Sequence, residues 1–159
     1  MNDNNQILTD ELLQYQTQRV QALVEETIQC CQMQTSYLSR KYCIPQAELR
    51  CLLLFPGERY LTVKGIAQKL DVAKSRVTKI VGGLVQKKLL QSIDDPRDAR
   101  IKLIALTPAG QEKSEEIRSL IAELNQKLLL EIEPEQRKMV ISSLELLRSS
   151  MEAIKRQLV

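Results

Sequence analysis

Between Leu61 and Gly110 the chain runs through a short amphipathic helix, a two-residue break, a basic helix and two alternating strands around a charged tip. Few folds accept that order. Thr62 suits the N-cap of a helix ending at Leu70, because its hydroxyl can accept from the first free backbone N–H groups. Asp71-Val72 makes the break. From Ala73 to Lys88 the apolar residues Val77, Ile80, Val81, Leu84 and Val85 recur at helical spacing, which leaves Ser75, Arg76, Thr78, Lys79 and Gly82 on a polar or bare face. Leu89 to Asp94 and Arg100 to Leu106 read as a hairpin, with Ile101, Leu103 and Ala105 alternating against Lys102 and Ile104. Its tip, Asp94 to Arg100, holds turn residues and two arginines. Helix, turn, helix and hairpin in succession predict a winged helix-turn-helix, an architecture that places its second helix in the DNA major groove.

Charge sharpens that expectation. The chain of 159 residues carries 23 basic and 20 acidic residues, a net +3 that says little alone. Between Arg59 and Lys102 there are 11 basic and 4 acidic residues, net +7, and the remainder is net −4. Positive charge gathered on a candidate reading head suits phosphate neutralisation. A solvated basic face on an ordinary domain is the plainer alternative. Only 3% of the residues are aromatic, too few for the stacking platforms of single-strand binders, so duplex recognition is favoured. No run of about 18 apolar residues offers a membrane span, and the first residues lack a signal-peptide pattern, which predicts a cytoplasmic protein.

The rest of the chain reads as helix. Ile7 to Ser39 contains neither Gly nor Pro and predicts a long first helix, with a break near its start as the alternative. Pro45 suits the first turn of a second helix, Gln46 to Leu54, stopped by Phe55-Pro56-Gly57. Thr107-Pro108 is a strong helix start, with apolar positions from Ile117 to Leu129. Glu133-Pro134-Glu135 restarts the chain into a last helix through Val140, Leu144, Leu147, Met151, Ile154 and Leu158. The expected fold class is mainly α with a small β-hairpin wing. Residues 45–106 form the winged helix-turn-helix, and residues 1–44 and 107–159 form a helical dimerisation region. Long amphipathic helices need a partner for their apolar stripes. A twofold dimer would supply one and would read a palindromic operator with half-sites about 34 Å apart. A monomer whose helices fold back on the winged domain is the alternative.

Asp95-Pro96-Arg97-Asp98-Ala99-Arg100, followed by Ile101 to Leu106 and Thr107-Pro108-Ala109-Gly110, resembles the wing and following helix start of the MarR family of bacterial transcription regulators. Ile66-Ala67-Gln68-Lys69-Leu70 through Arg76-Val77-Thr78-Lys79-Ile80-Val81 is similar to that family's helix-turn-helix, and the likeness in helix order extends from Ile7 to Leu158. The resemblance implies a homodimer that binds double-stranded DNA and regulates transcription, as a repressor released by a small lipophilic or phenolic effector. It implies that Arg100 enters the minor groove with Asp98 bracing it, and that Ser75, Thr78 and Lys79 face the major groove. On the residues themselves, Arg76 and Lys79 are expected to contact DNA and Lys74 to contact phosphate. Arg97 and Arg100 suit insertion into a narrow minor groove better than exposed pairing with Asp94, Asp95 or Asp98, which is worth little.

Three positions depart from the family pattern. Ala73 replaces a common Ser and removes a side-chain N-cap, at a cost of about 1 kcal/mol. Leu89 stands where a Gly usually precedes the first wing strand. Gly82-Gly83 sits inside the basic helix, each costing about 1 kcal/mol against Ala; packing of Val81, Leu84 and Val85 is expected to offset this weakness, and close backbone approach, or a helix that firms up on DNA, is the alternative.

Cys30, Cys31, Cys43 and Cys51 form no Cys-x-x-Cys pair and the chain has no His, so neither a metal site nor another cofactor is expected. Cys51 reads as core filling. A redox-responsive regulator using Cys30, Cys31 or Cys43 is one alternative function. A helical interaction protein without DNA binding is another. An enzyme is not expected, since the sequence offers neither a His base nor a phosphate loop nor a nucleophile elbow.

Overall fold

The computed structural model describes the backbone of residues 3–95 and 101–157, with side chains from residue 10 onward. The chain divides into two compact units, Met1–Gln111 and Glu112–Val159.

The first unit opens with α1 (Asp3–Tyr42), an unbroken helix longer than its apolar pattern predicts. Within it the hydroxyls of Thr17, Thr27, Thr35 and Ser36 each donate to the carbonyl four residues back, so none of the four competes for a free backbone N–H. Cys43 ends it in the left-handed region, φ 52°, and the Ile44 N–H closes on the Ser39 carbonyl at 3.1 Å. Pro45 then caps α2 (Gln46–Leu52), which stops two residues before the expected Leu54.

A two-residue strand follows, β1 (Leu61–Thr62), then α3 (Val63–Leu70), α4 (Lys74–Gln86), β2 (Leu90–Asp94) and β3 (Lys102–Leu106). The sheet order is β1-β3-β2, all antiparallel. Sequence reading missed β1, whose two residues carry no alternation and which makes β3 the central strand. β3 buries Leu103, Ile104 and Ala105 in succession, so the expected one-sided alternation gives way to burial on both faces. Ile101 lies outside the strand and is exposed.

The core joins Leu49, Cys51 and Leu52 of α2, Ile66 of α3, Val77 and Leu84 of α4, and Leu90 of β2, all essentially without solvent exposure. Val77, Ile80, Val81 and Leu84 form the buried stripe of α4 as predicted. Val85 does not join them and is 40% exposed. At 100° per residue it lies about 80° round the helix from Val77, on the edge of the stripe.

α5 (Pro108–Leu130) starts in this first unit. The Thr107 hydroxyl accepts from the Gly110 N–H at 3.0 Å and donates to the Lys88 carbonyl at 2.6 Å, while the Thr107 N–H donates to the Leu89 carbonyl. A Cβ on Gly110 would lie 1.9 Å from the Leu89 oxygen. Glycine is therefore required where the start of α5 meets the turn that follows α4. The left-handed residue at that end is Lys88, φ 59°, and Leu89 N–H closes on the Leu84 carbonyl at 2.9 Å. The position that favours glycine before the wing is thus Lys88, one residue earlier than the sequence comparison placed it.

In the second unit α5 continues, and α6 (Pro134–Lys155) follows. Arg137 Nε donates to the Leu129 and Ile132 carbonyls at 2.8 and 2.9 Å and closes the turn between the two helices. α6 buries no residue; Met139, Ile141, Leu144, Leu146, Met151 and Ile154 are all exposed. Among the described residues no helix is long and apolar enough to cross a membrane.

Candidate nucleic-acid interface

The helix-turn-helix is built by local chemistry. The Thr62 hydroxyl accepts from the Gly65 N–H at 3.0 Å and starts α3. Asp71, φ 56° and ψ 52°, ends it in the left-handed conformation, and the Val72 N–H returns to the Ala67 carbonyl at 3.1 Å. Asp tolerates that conformation better than most residues. Buried Ala67 and Ile66 on α3 face inward, and α3 packs against α4.

α4 carries the predicted contact residues in its first six positions. Lys74, Ser75, Arg76, Thr78 and Lys79 are all exposed, interrupted by fully buried Val77. Ser75, Thr78 and Lys79 share the face opposite the buried stripe, with Lys74 and Arg76 flanking it. The Thr78 hydroxyl donates to the Lys74 carbonyl at 3.1 Å, which leaves its oxygen free to accept. Ala73 offers no side-chain cap, and the first turn holds no acidic residue. Basic side chains at a helix N-terminus oppose the helix dipole. That arrangement weakens the isolated helix and concentrates positive potential where an anion would sit.

A cleft of about 580 Å³ lies between α3 and the start of α4, and Lys64, Gln68 and Lys74 line it. Sequence alone does not single out Lys64 and Gln68. Their spacing of four on the polar face of α3 was the available signal. Lys69, on the same helix, instead pairs with Glu58 at 3.3 Å.

The wing is defined at its stem. Asp94 and Lys102 are cross-strand partners joined by an ion pair, and the Asp95 N–H donates to the Ile101 carbonyl at 3.0 Å. Asp94 thus has Lys102 as a cation partner. The expected contacts Arg97, Asp98 and Arg100 lie outside the described residues.

The cysteines separate by environment. Cys30, Cys31 and Cys43 are exposed and Cys51 is buried. Burial, with the Glu48 charge adding to it, pushes the Cys51 thiol up to about 12. Cys51 therefore stays protonated at neutral pH and is a packing residue. Cys31 lines a groove of about 520 Å³ between α1 and α2, along with Ile28, Gln32, Gln46 and Arg50.

Residues 45–101 match the model of the MarR family. Transcriptional regulator AdcR of Streptococcus pneumoniae is 32% identical over 65 residues, 41% of this chain and 44% of its own length. That match spans less than half of the relative. The structure resembles Streptococcus pneumoniae FabT in complex with DNA, with a TM-score of 0.75, 16% identity, and coverage of 86% of this chain and 98% of that one. It also resembles the S. aureus MepR–DNA complex, with a TM-score of 0.66, 23% identity, and coverage of 81% and 95%. These likenesses extend the shared fold well beyond the matched segment. Over residues 45–101, where the helix-turn-helix and wing stem stand, the chain is thus similar to the MarR family, and its fold is that of two proteins solved with DNA.

Proposed function

We propose that the chain is a cytoplasmic, homodimeric regulator that binds a palindromic duplex operator as a repressor and is released by a small lipophilic or phenolic ligand. One observation carries the reading: five exposed polar or basic side chains, Lys74, Ser75, Arg76, Thr78 and Lys79, crowd the first half of α4, whose other face is buried. Arg76 and Lys79 are long enough to reach base edges. Lys64 and Lys74 serve phosphate, and Arg100 with Arg97 serves the minor groove, braced by Asp98. FabT and MepR are solved with DNA, and the same use of α4 is proposed here.

The dimer is supported by exposed apolar side chains on α1 and α6, Leu12, Leu13, Val20 and Ile28 on one, Leu144, Met151 and Ile154 on the other. Apolar stripes of this length need cover. The groove between α1 and α2 suits the effector: its volume is that of a small-molecule site, and Ile28 supplies apolar contact beside the Arg50 cation and two amides. Exposed Cys31 in the same groove is the observation that favours oxidation as a second trigger.

Titrating the protein into duplex DNA from upstream of its own coding region tests the function. Binding should weaken steeply with salt, with a log–log slope of roughly −0.9 per neutralised phosphate, and phenolic ligands should release it. Linkage requires DNA to weaken ligand binding by the same factor. A protein that sediments as a monomer at micromolar concentration, or shows no preference among duplexes, contradicts the proposal. A cysteine-free variant that binds DNA but ignores the releasing signal moves the trigger to the thiols.

A further inference from the structure

The two glycines inside α4 are not equivalent. A Cβ on Gly82 would meet nothing within 4 Å, whereas one on Gly83 would lie 2.3 Å from Glu48 Oε1 and 2.9 Å from its Cδ. α2 thus places a carboxylate where α4 omits a side chain. Of the readings open from sequence, close approach describes Gly83, and its neighbour is a side chain of the same chain.

The Glu48 side chain is only 13% exposed, and Lys87 Nζ lies 2.8 Å from Oε2. The pair is close without the alignment of a hydrogen bond, and that buried oxygen has no hydrogen-bond partner. Taking a carboxylate out of water this way is a poor route to stability. Such pairs are best attested as devices that fix one arrangement among several. Here the arrangement fixed is α4 on α2, two helices already in contact.

Helix geometry shows what depends on it. Arg76, Gly83 and Lys87 follow one row of α4, at spacings of seven and eleven residues that return to within about 20° of the same direction. Arg76 lies about 10 Å along the axis from Gly83, at 1.5 Å per residue. A small tilt or rotation of α4 about the Gly83–Lys87 contact therefore displaces Arg76 and its neighbours at the reading end. A contact at the bare Cα tolerates less sliding than one between two flexible side chains, because the backbone itself is the seat.

We propose that Glu48 is a positioning residue for the reading helix: its carboxylate, seated on Gly83 and paired with Lys87, sets the orientation at which α4 presents Arg76 and Lys79. This rests on the DNA-reading function proposed above. Glu48 itself touches no DNA in this account.

The test is a double-mutant cycle with Glu48→Ala, Gly83→Ala and the pair, alongside Glu48→Gln as a shape-preserving variant and Gly82→Ala as the control. Glu48→Ala and Gly83→Ala should each lower discrimination between operator and scrambled duplex by about tenfold. Affinity for scrambled DNA and the salt slope should stay unchanged, because phosphate contacts do not need the same orientation. The double variant should be no worse than either single one, and Gly82→Ala should keep full discrimination. If Glu48→Ala and Glu48→Gln lower the melting temperature but leave discrimination intact, Glu48 is merely structural and the proposal is overturned. Amide hydrogen exchange in the DNA-free protein separates this from a failure of the function. Exchange over the first half of α4 should quicken with Glu48→Ala and not with Gly82→Ala. Unchanged exchange overturns the proposal even if the wild type reads DNA, whereas a wild type that cannot discriminate duplexes overturns the function.

Discussion

α4 and α6 are both amphipathic helices, and they satisfy their apolar residues differently. α4 buries Val77, Ile80, Val81 and Leu84 within its own unit, against a core that includes α2, α3 and the sheet. α6 buries nothing, and six of its large apolar side chains are open. The first helix completes a small domain and leaves its polar face for a ligand. The second carries an apolar stripe that the described chain leaves uncovered. Under the proposed function, reading and assembly are therefore separate tasks, and substitutions on the two helices should fail in different ways.

The largest effect is expected from Leu144→Glu with Leu147→Glu. In the proposed dimer these should yield monomers whose operator affinity falls by on the order of 10²-fold or more, since two heads no longer bind as one body. Sedimentation and anisotropy titration check it. Leu84→Ala should cost about 2–5 kcal/mol by creating a cavity in the head, at any protein concentration. Leu144→Ala should be felt through association and therefore vary with concentration. A concentration-independent loss at Leu144 would break the comparison.

Cys51 gives a smaller, pH-dependent effect confined to the head. Its folded pKa is raised, from 9.0 to about 12. Below pH 9 the thiol is neutral in both states and contributes nothing. Above it the unfolded chain ionises first, so stability should fall by about 1.4 kcal/mol per pH unit until the folded pKa is reached. Thermal unfolding at pH 8 and pH 10 should show this slope, and Cys51→Ala should remove it. Smallest is Lys88→Gly, which should stabilise the head by about 1 kcal/mol by relieving a left-handed residue; a loss in chemical denaturation would contradict the reading of that turn.

Much of this was legible in the sequence where a single local rule decided the outcome. Thr62 as a cap, Asp71-Val72 as the turn and the stripe from Val77 to Leu84 follow from capping and period alone. What was missed depends on tertiary partners. β1 exists because β3 needs a second neighbour, and no property of Leu61-Thr62 announces it. Gly83 reads from sequence as a tolerated weakness because Glu48, 35 residues earlier, is invisible to helical periodicity. Lys88 took the left-handed place because the turn closes Leu89 on Leu84, and the comparison by pattern was one residue out. Lys64 and Gln68 became candidates only when α3 and α4 framed a cleft.

The central claim is that the exposed face of α4 reads base sequence. It is tested most directly by titrating wild type, Lys74→Ala, and Arg76→Ala with Lys79→Ala, against operator and scrambled duplexes across a salt series. The double variant should lose roughly 1–3 kcal/mol of discrimination for each good base contact removed. Lys74→Ala should weaken both duplexes alike and reduce the salt slope by about one. If Arg76→Ala with Lys79→Ala leaves the operator preference unchanged, α4 does not read the sequence and the account is wrong.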